Sequence, residues 1–438
     1  MWIGLLYAIM YLSANLQLMI SHKSPGFLAG QPQRDPYEAR ALFQEKTIQC
    51  LVLGNYTEPP VYTVETLIVY CLGEHFQNPD AQVGSWMIVG LIVKAAMRLG
   101  FHRDASHYSN ISTFRGEMQR RLWSIITHLD IATSSAIGLP RMIKEDMYDT
   151  QSPRNLYDED FDEHVTELPP PRPNGVITPI GFVIVKDELI LVSGMIVDQA
   201  NSTKQISYEE ITKLDKLLED AYQNRIPEFM KVRTLEDLKT GDVEMRVRKF
   251  SVDLLYHKAR CVLHRKFLIP PKSSTVPIYP YSTKSCVDSA MRILQSQMLL
   301  HLETRPGKPL HEHKWKTTSL MTQDFLLAAM LICLYLSHSS SETFAAASAT
   351  QNEFPISWSK DEMLQALDDS FLIWDSSKCA SKEALKAARA LKAMLIRIRN
   401  AEPTAVVSQV LPQTVPVVSS GPIYSNPGKL SRGSNIGV

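Results

Sequence analysis

The chain has 438 residues, 45% of them hydrophobic and 21% charged, with 46 Lys and Arg balanced by 46 Asp and Glu. That length allows one large domain or two to four small ones, at about 100–200 residues each. Zero net charge argues against a chain that wraps nucleic acid along its whole length, and the composition excludes a collagen-like, wholly disordered or polytopic membrane protein.

Residues 1–20, MWIGLLYAIMYLSANLQLMI, carry no charge, and Lys23 is the first. A signal peptide needs a basic start and a small-residue cleavage site. Neither is present, and Ser13, Asn15 and Gln17 interrupt the apolar run. The segment reads as a helix buried in a core, not as a membrane anchor. Helices follow over 37–53 and 61–76, split by Glu58-Pro59-Pro60. A third covers 81–99. Only Lys94 and Arg98 mark it with charge, so neighbours are expected to engulf it. Gly100 stands where a left-handed cap is favoured. A fourth helix runs over 114–136 and stops at Gly138-Leu139-Pro140.

Residues 140–160 read as an irregular acidic loop, and LPPPRPNG at 168–175 cannot be helical. Helices resume at 179–200, 207–224, 243–268, 281–302, 318–338, 360–377 and 381–400. Ser207 with Glu210, and Ser359 with Glu362, fit capping boxes. The nearest rival for a strand, GFVIV at 181–185, is too short to build a sheet. The expected fold is therefore all-α, with residues 1–400 as one large helical domain. Residues 401–438 hold five Pro, four Gly and three charges, and are expected to be a disordered tail.

Signatures of chemistry are missing. The 19 glycines form neither GxGxxG nor GxxxxGK[ST]. The six cysteines (Cys50, Cys71, Cys261, Cys286, Cys333, Cys379) contain no CxxC pair and read as reduced thiols of a cytosolic or nuclear protein. His311 and His313 are two apart and cannot share a helix face. Asp146, Asp149, Asp158, Glu159 and Asp160 lack the spacing and central Gly of a calcium loop. No catalytic, cofactor or metal residues are assigned.

Residues 85–160 carry a pattern of a different kind. Ala96, Leu99, Gly100, Phe101, His102, Arg103 and Asp104 end one helix. Glu117, Arg120, Arg121, Leu122, Trp123, Leu129 and Asp130 lie on the next. Gly138, Pro140, Asp146, Pro153 and Asn155 follow in the loop. In order and spacing this resembles the fungal-specific transcription factor domain, the middle homology region of binuclear zinc-cluster regulators. Gln119 stands in place of one Arg of that pattern, and Ser124 in place of its second Trp. TPIGFVIVKDEL, CVLHRKFL and TQDFLLAAMLICLYL resemble later segments, so the likeness spans about residues 1–400.

The resemblance implies antiparallel helix pairs and a nuclear, effector-responsive regulatory module, in a setting that is often a metabolic gene cluster. It implies other transcription proteins or a homo- or heterodimer partner, and a small-molecule effector. The six-cysteine zinc cluster that reads DNA in such regulators is missing, and MWIGLLYAIM resembles an interior helix, so an N-terminally truncated copy is expected. Direct DNA contact is not expected of this chain. The competing reading is a cytosolic helical scaffold without a transcriptional role.

Within the motif, Gly100, His102, Arg103, Asp104, Arg120, Arg121, Trp123, Asp130, Gly138 and Pro140 are expected to be structural. Trp123 should be buried. Arg120 or Arg121 should bond carboxylates or helix-end carbonyls around the 140–160 loop, or Asp130, since Arg makes planar bidentate bonds to carboxylates. Removing residues 401–438 is expected to leave the thermal midpoint unchanged, because so little apolar surface lies there to dock. A drop of several degrees in the truncated chain would contradict this.

Overall fold

The computed structural model describes residues 1–21, 35–77, 82–173, 175–204, 206–269, 279–313, 322–339, 355–378 and 381–400. The expected disordered tail lies outside the described residues, as does Cys379. Met1–Ala401 form one compact unit. Its elements are α1 (Trp2–Ser21), α2 (Pro36–Leu53), α3 (Thr63–Gln77), α4 (Gln82–Arg98), α5 (Thr113–Ile137) and α6 (Pro179–Ala200). They continue with α7 (Tyr208–Asp220), α8 (Val243–His264), α9 (Pro280–Glu303), α10 (Thr322–Ser339), α11 (Lys360–Ser377) and α12 (Lys382–Asn400). No strand occurs among the described residues. GFVIV lies inside α6, whose first turn Thr178 caps by accepting from the Gly181 N–H.

The sequence punctuates these helices as expected. Ser207 and Ser359 open α7 and α11 with reciprocal capping boxes. Gly100 (φ +82°) closes α4, with its N–H bonded to Met97 O and that of Phe101 to Ala96 O. Gly138 (φ +70°) closes α5 in the same left-handed conformation. An L side chain at either position would strain the backbone.

Neighbouring helices pair antiparallel. Gly4 of α1 lies against Cys50 of α2, while Tyr7 meets Phe43. Along α8 and α9, Arg246 faces Glu303, Asp253 faces Arg292, and His264 faces Ser282. Two neighbours run parallel because a third segment intervenes. In α5 and α6, Ser124 bonds Asp187 at 2.9 Å and Ile131 packs on Gly194. The chain must therefore travel back the length of α5 before α6 begins.

Three cores result. One joins α2–α5 around Val89, Ile92, Trp123 and Ile126. A second joins α6–α8 around Leu189, Leu218 and Tyr256. The third joins α8–α12 around Phe250, Ile293, Ile332 and Leu391. Helix α8 serves both of the last two, with Val252 and Ala259 on one side and Phe250 and Leu254 on the other.

Two sequence expectations need correction. Helix α1 buries only one face, through Ala8, Tyr11, Ala14 and Leu18, while Trp2, Ile3, Leu6 and Ile9 face outward. It is the helix among the described residues long and apolar enough to cross a bilayer, and about a third of its 18-residue apolar window is buried. Helix α4 is not engulfed either: Val83, Met87 and Leu91 form an exposed stripe at four-residue spacing. Both helices are apolar nearly all round, so periodicity could not show which side the neighbours would leave open.

Candidate functional site

Residues 139–178 form a strap that runs back along α5, and α5 supplies a polar anchor for it at nearly every turn. Farthest from the N-terminus of α5, Asp130 is fully buried, and its Oδ2 accepts the N–H groups of Met142 and Ile143, both at 2.8 Å. One step further, the Trp123 ring meets Tyr148 edge-on at 5.5 Å, with His102 at 6.3 Å on another side. Trp123 is 2% exposed.

Asp104 is the densest node. Arg120 grips it through Nε at 2.9 Å and Nη2 at 2.8 Å. The N–H groups of Ser106 and Gln151 each donate to it at 3.0 Å. Its own N–H donates to Asp149, which also draws in Arg103 and His107. The Arg120 guanidinium, together with these donors, holds the Asp104 carboxyl well below the usual carboxylate range, against the opposing effect of burial.

Nearer the start of α5, buried Glu117 accepts from Arg121 Nε and from the Arg154 N–H. Burial pushes Glu117 and Asp130 upward, and the donors around each carboxyl oppose that shift in part. Arg121 continues outward, donating to Leu156 O at 3.0 Å and Asp158 Oδ1 at 2.6 Å, with its guanidinium over the Phe161 ring. Thr113 ends the series with a bond to Thr166 O. The strap then closes on itself: Asn155 donates to Arg172 O and Val176 O and accepts from the Thr178 hydroxyl.

The motif residues therefore divide. Asp104, Arg120, Arg121, Trp123 and Asp130 make the clamp. Gly100 and Gly138 end the two helices that frame it, and Pro140 follows the second end. His102 packs on the Trp123 ring and its carbonyl accepts the Asp149 N–H, while Arg103 is half-exposed. Asp130 binds the strap backbone and neither arginine; Arg121 reaches Leu156 O and Asp158 in the 140–160 loop, as expected, together with Glu117, while Arg120 pairs with Asp104. Sequence reasoning missed Arg141, which takes Glu145 and Asp198 together. It also missed Asp187, which gathers Ser124, His128 and Ser152. Glu145 stands four residues after Arg141, but Asp198 and all the partners of Asp187 lie on separate segments that no spacing marks.

A cavity of about 320 Å³ opens beside the clamp, lined by Ser106, Tyr108, Thr113, Glu117, Arg120 and Arg154 among others. No group of three or more His, Cys, Asp or Glu side chains converges for a metal among the described residues.

Residues 3–232, which hold the whole clamp, match the model of the fungal specific transcription factor domain. The chain belongs to that family. It is 39% identical over 410 residues to the Zn(2)-C6 fungal-type transcription factor pigI of Monascus ruber, covering 94% of this chain and 49% of that protein. It is 40% identical over 401 residues to the Zn(2)-C6 fungal-type transcription factor mpsB of Macrophomina phaseolina, covering 91% and 53%. The equisetin cluster transcription factor eqxF of Fusarium heterosporum is 34% identical over 400 residues, covering 91% and 56%. The chain thus spans about half the length of the curated relatives it matches. No solved structure matches it significantly.

Two outcomes follow from the clamp. Trp123→Ala should cost about 3–5 kcal/mol, as large-to-small changes at buried aromatics do. Arg121→Ala should cost about 3 kcal/mol by leaving Glu117 buried with one donor fewer. Urea melts of the two variants check both, and a near-wild-type melt for Trp123→Ala would overturn the account. The second concerns pH. Because folding lowers the Asp104 pKa, its stabilisation is complete above the unfolded value of about 4 and is lost as pH falls below it. The stability gap between wild type and Asp104→Asn should accordingly be wide at neutral pH and narrow progressively in acid. A gap independent of pH would refute the charged pairing.

Proposed function

We propose that this chain is the regulatory helical domain of a nuclear fungal transcription regulator that controls a secondary-metabolite gene cluster. The observation that carries the reading is the family match over residues 3–232, which contains the clamped strap. Its cluster setting is supported by relatives named for such clusters, among them the equisetin factor and the pyrrolocin cluster transcription factor fsdR, 37% identical over 401 residues. Partners in this reading are other transcription proteins, including a homo- or heterodimer partner.

The clamp suits a regulatory part. It combines geometrically strict charged pairs with an apolar footing, Ile143 in the α2–α5 core and Leu156, Phe161 and Leu168 against Phe114 and Met118 of α5. The adjacent cavity is the place where a small polar effector would reach Arg120 and Arg154 and alter how tightly the strap is held.

Two measurements test the reading. Fused to a heterologous DNA-binding domain in a fungal reporter strain, the chain should change reporter output, and a fluorescent fusion should collect in the nucleus. A silent reporter with a cytoplasmic fusion would favour the scaffold reading instead. In gel shifts with cluster promoters, the chain should show no preference for sequence, since base readout needs an element that enters a groove. A selective sub-micromolar shift would contradict this.

A further inference from the structure

The last helix, α12, has six basic residues and one acidic residue in its 19 positions. The whole chain has zero net charge, so this helix departs strongly from the chain's average, and α11 beside it carries five acidic residues and one Lys. Its buried stripe is Ala384, Ala387, Ala388, Leu391, Leu395 and Ile398. Lys382, Lys386, Arg389, Lys392 and Arg397 are all exposed. At about 100° per residue, Lys382, Lys386, Arg389 and Arg397 fall within about 80° of arc, and Lys392 about 60° further round. That arc lies opposite the buried stripe. At about 1.5 Å per residue, it extends about 22 Å from Lys382 to Arg397.

Three of the six cations, Arg389, Lys392 and Arg397, are uncommitted among the described residues, while Lys382, Lys386 and Arg399 engage other groups. Arg399 bonds Asp368 of α11, and Lys386 makes an exposed pair with Glu383 three residues before it. Among the described residues, Arg389, Lys392 and Arg397 form no ion pair. Between them stand Ala390 and Ala393, both exposed, and Ile396 is the one large apolar side chain that α12 exposes. A protein partner is held by clusters of large apolar or aromatic anchors, and this face offers a single one, Ile396. A rod of cations separated by small residues instead complements a regular line of phosphates, and duplex DNA carries one charge per about 1.7 Å of axis.

We propose that the solvent face of α12 docks on the sugar-phosphate backbone of duplex DNA and reads no bases. The choice of DNA rests on the regulatory reading above, but the contact is measured on the isolated chain, so either can fail without the other. Such a contact would add sequence-independent affinity to whatever element selects the site, by raising its effective local concentration.

The test is fluorescence anisotropy of the full chain with two labelled duplexes of unrelated sequence, across a salt series. Both duplexes should bind with similar affinity, and log Kd should rise with log salt with a slope of about 4, for four to five phosphates neutralised. Lys386→Glu/Arg389→Glu/Lys392→Glu should weaken binding at least about tenfold at low salt and flatten the slope by about 3. Its melt should match wild type, because all three side chains are exposed; Lys386→Gln/Arg389→Gln/Lys392→Gln serves if charge reversal perturbs folding. Lys213→Glu/Lys216→Glu on exposed α7 positions should leave binding unchanged. Absence of binding at low salt, or triple variants that bind as wild type, would overturn the proposal. So would polyglutamate that binds more tightly than the duplex, which would assign the face to an acidic protein.

Discussion

The bidentate grip of Arg120 on Asp104 is the constraint on which the N-terminal half depends. Asp104 belongs to the turn after α4, Arg120 to α5, and Gln151, whose N–H bonds the same carboxylate, to the strap. One buried carboxylate therefore fixes three segments far apart in the chain. A buried charge missing one partner is costly, so the three must dock together or not at all. Trp123 lies one turn along from Arg120 and is covered by Tyr148 of the same strap. The apolar core of α2–α5 is thus sealed by a segment that polar bonds put in place.

The strap also explains the parallel pairing of α5 and α6. A chain leaving the C-terminal end of α5 could return at once as an antiparallel neighbour. Here it first travels back along α5 and ends where Thr178 caps α6. Asn155 bridges the two by accepting from Thr178 while donating to Arg172 O and Val176 O. Asp187 then ties α6 to both α5 and the strap through Ser124, His128 and Ser152. The turn after α4, α5 and α6 are thus each bonded to the strap.

Much of this was legible in the sequence. Caps and breakers are local, so Gly100, Gly138, Ser207 and Ser359 announced their helix ends correctly. The motif from His102 to Pro140 placed the clamp because its residues recur in a pattern that can be read in order. Partners on distant segments were not legible. Arg120 and Arg121 are neighbours in sequence but diverge by about 100° on the helix, so one turns to Asp104 and the other to Asp158. Nothing in the spacing says which. The same limit hid Arg141 and Asp187, and it left the open sides of α1 and α4 undetermined, since a helix apolar on all sides gives no direction.

Net charge is limited for a related reason: a sum does not record where charges sit. In the first half, Arg120, Arg121 and Arg141 point inward and are satisfied by carboxylates of the strap and its neighbours. Those charges are largely silent to a partner in solution. In α12 the cations lie opposite the buried stripe and project into solvent, while Asp368 of the adjacent helix bonds only Arg399 among them. The balance of 46 against 46 is thus made of two unlike populations. A formal charge of zero does weigh against wrapping nucleic acid with the whole surface. It does not weigh against one helix face whose cations have a single direction and few internal partners, because at physiological salt a partner senses only the charges within about 8 Å of it.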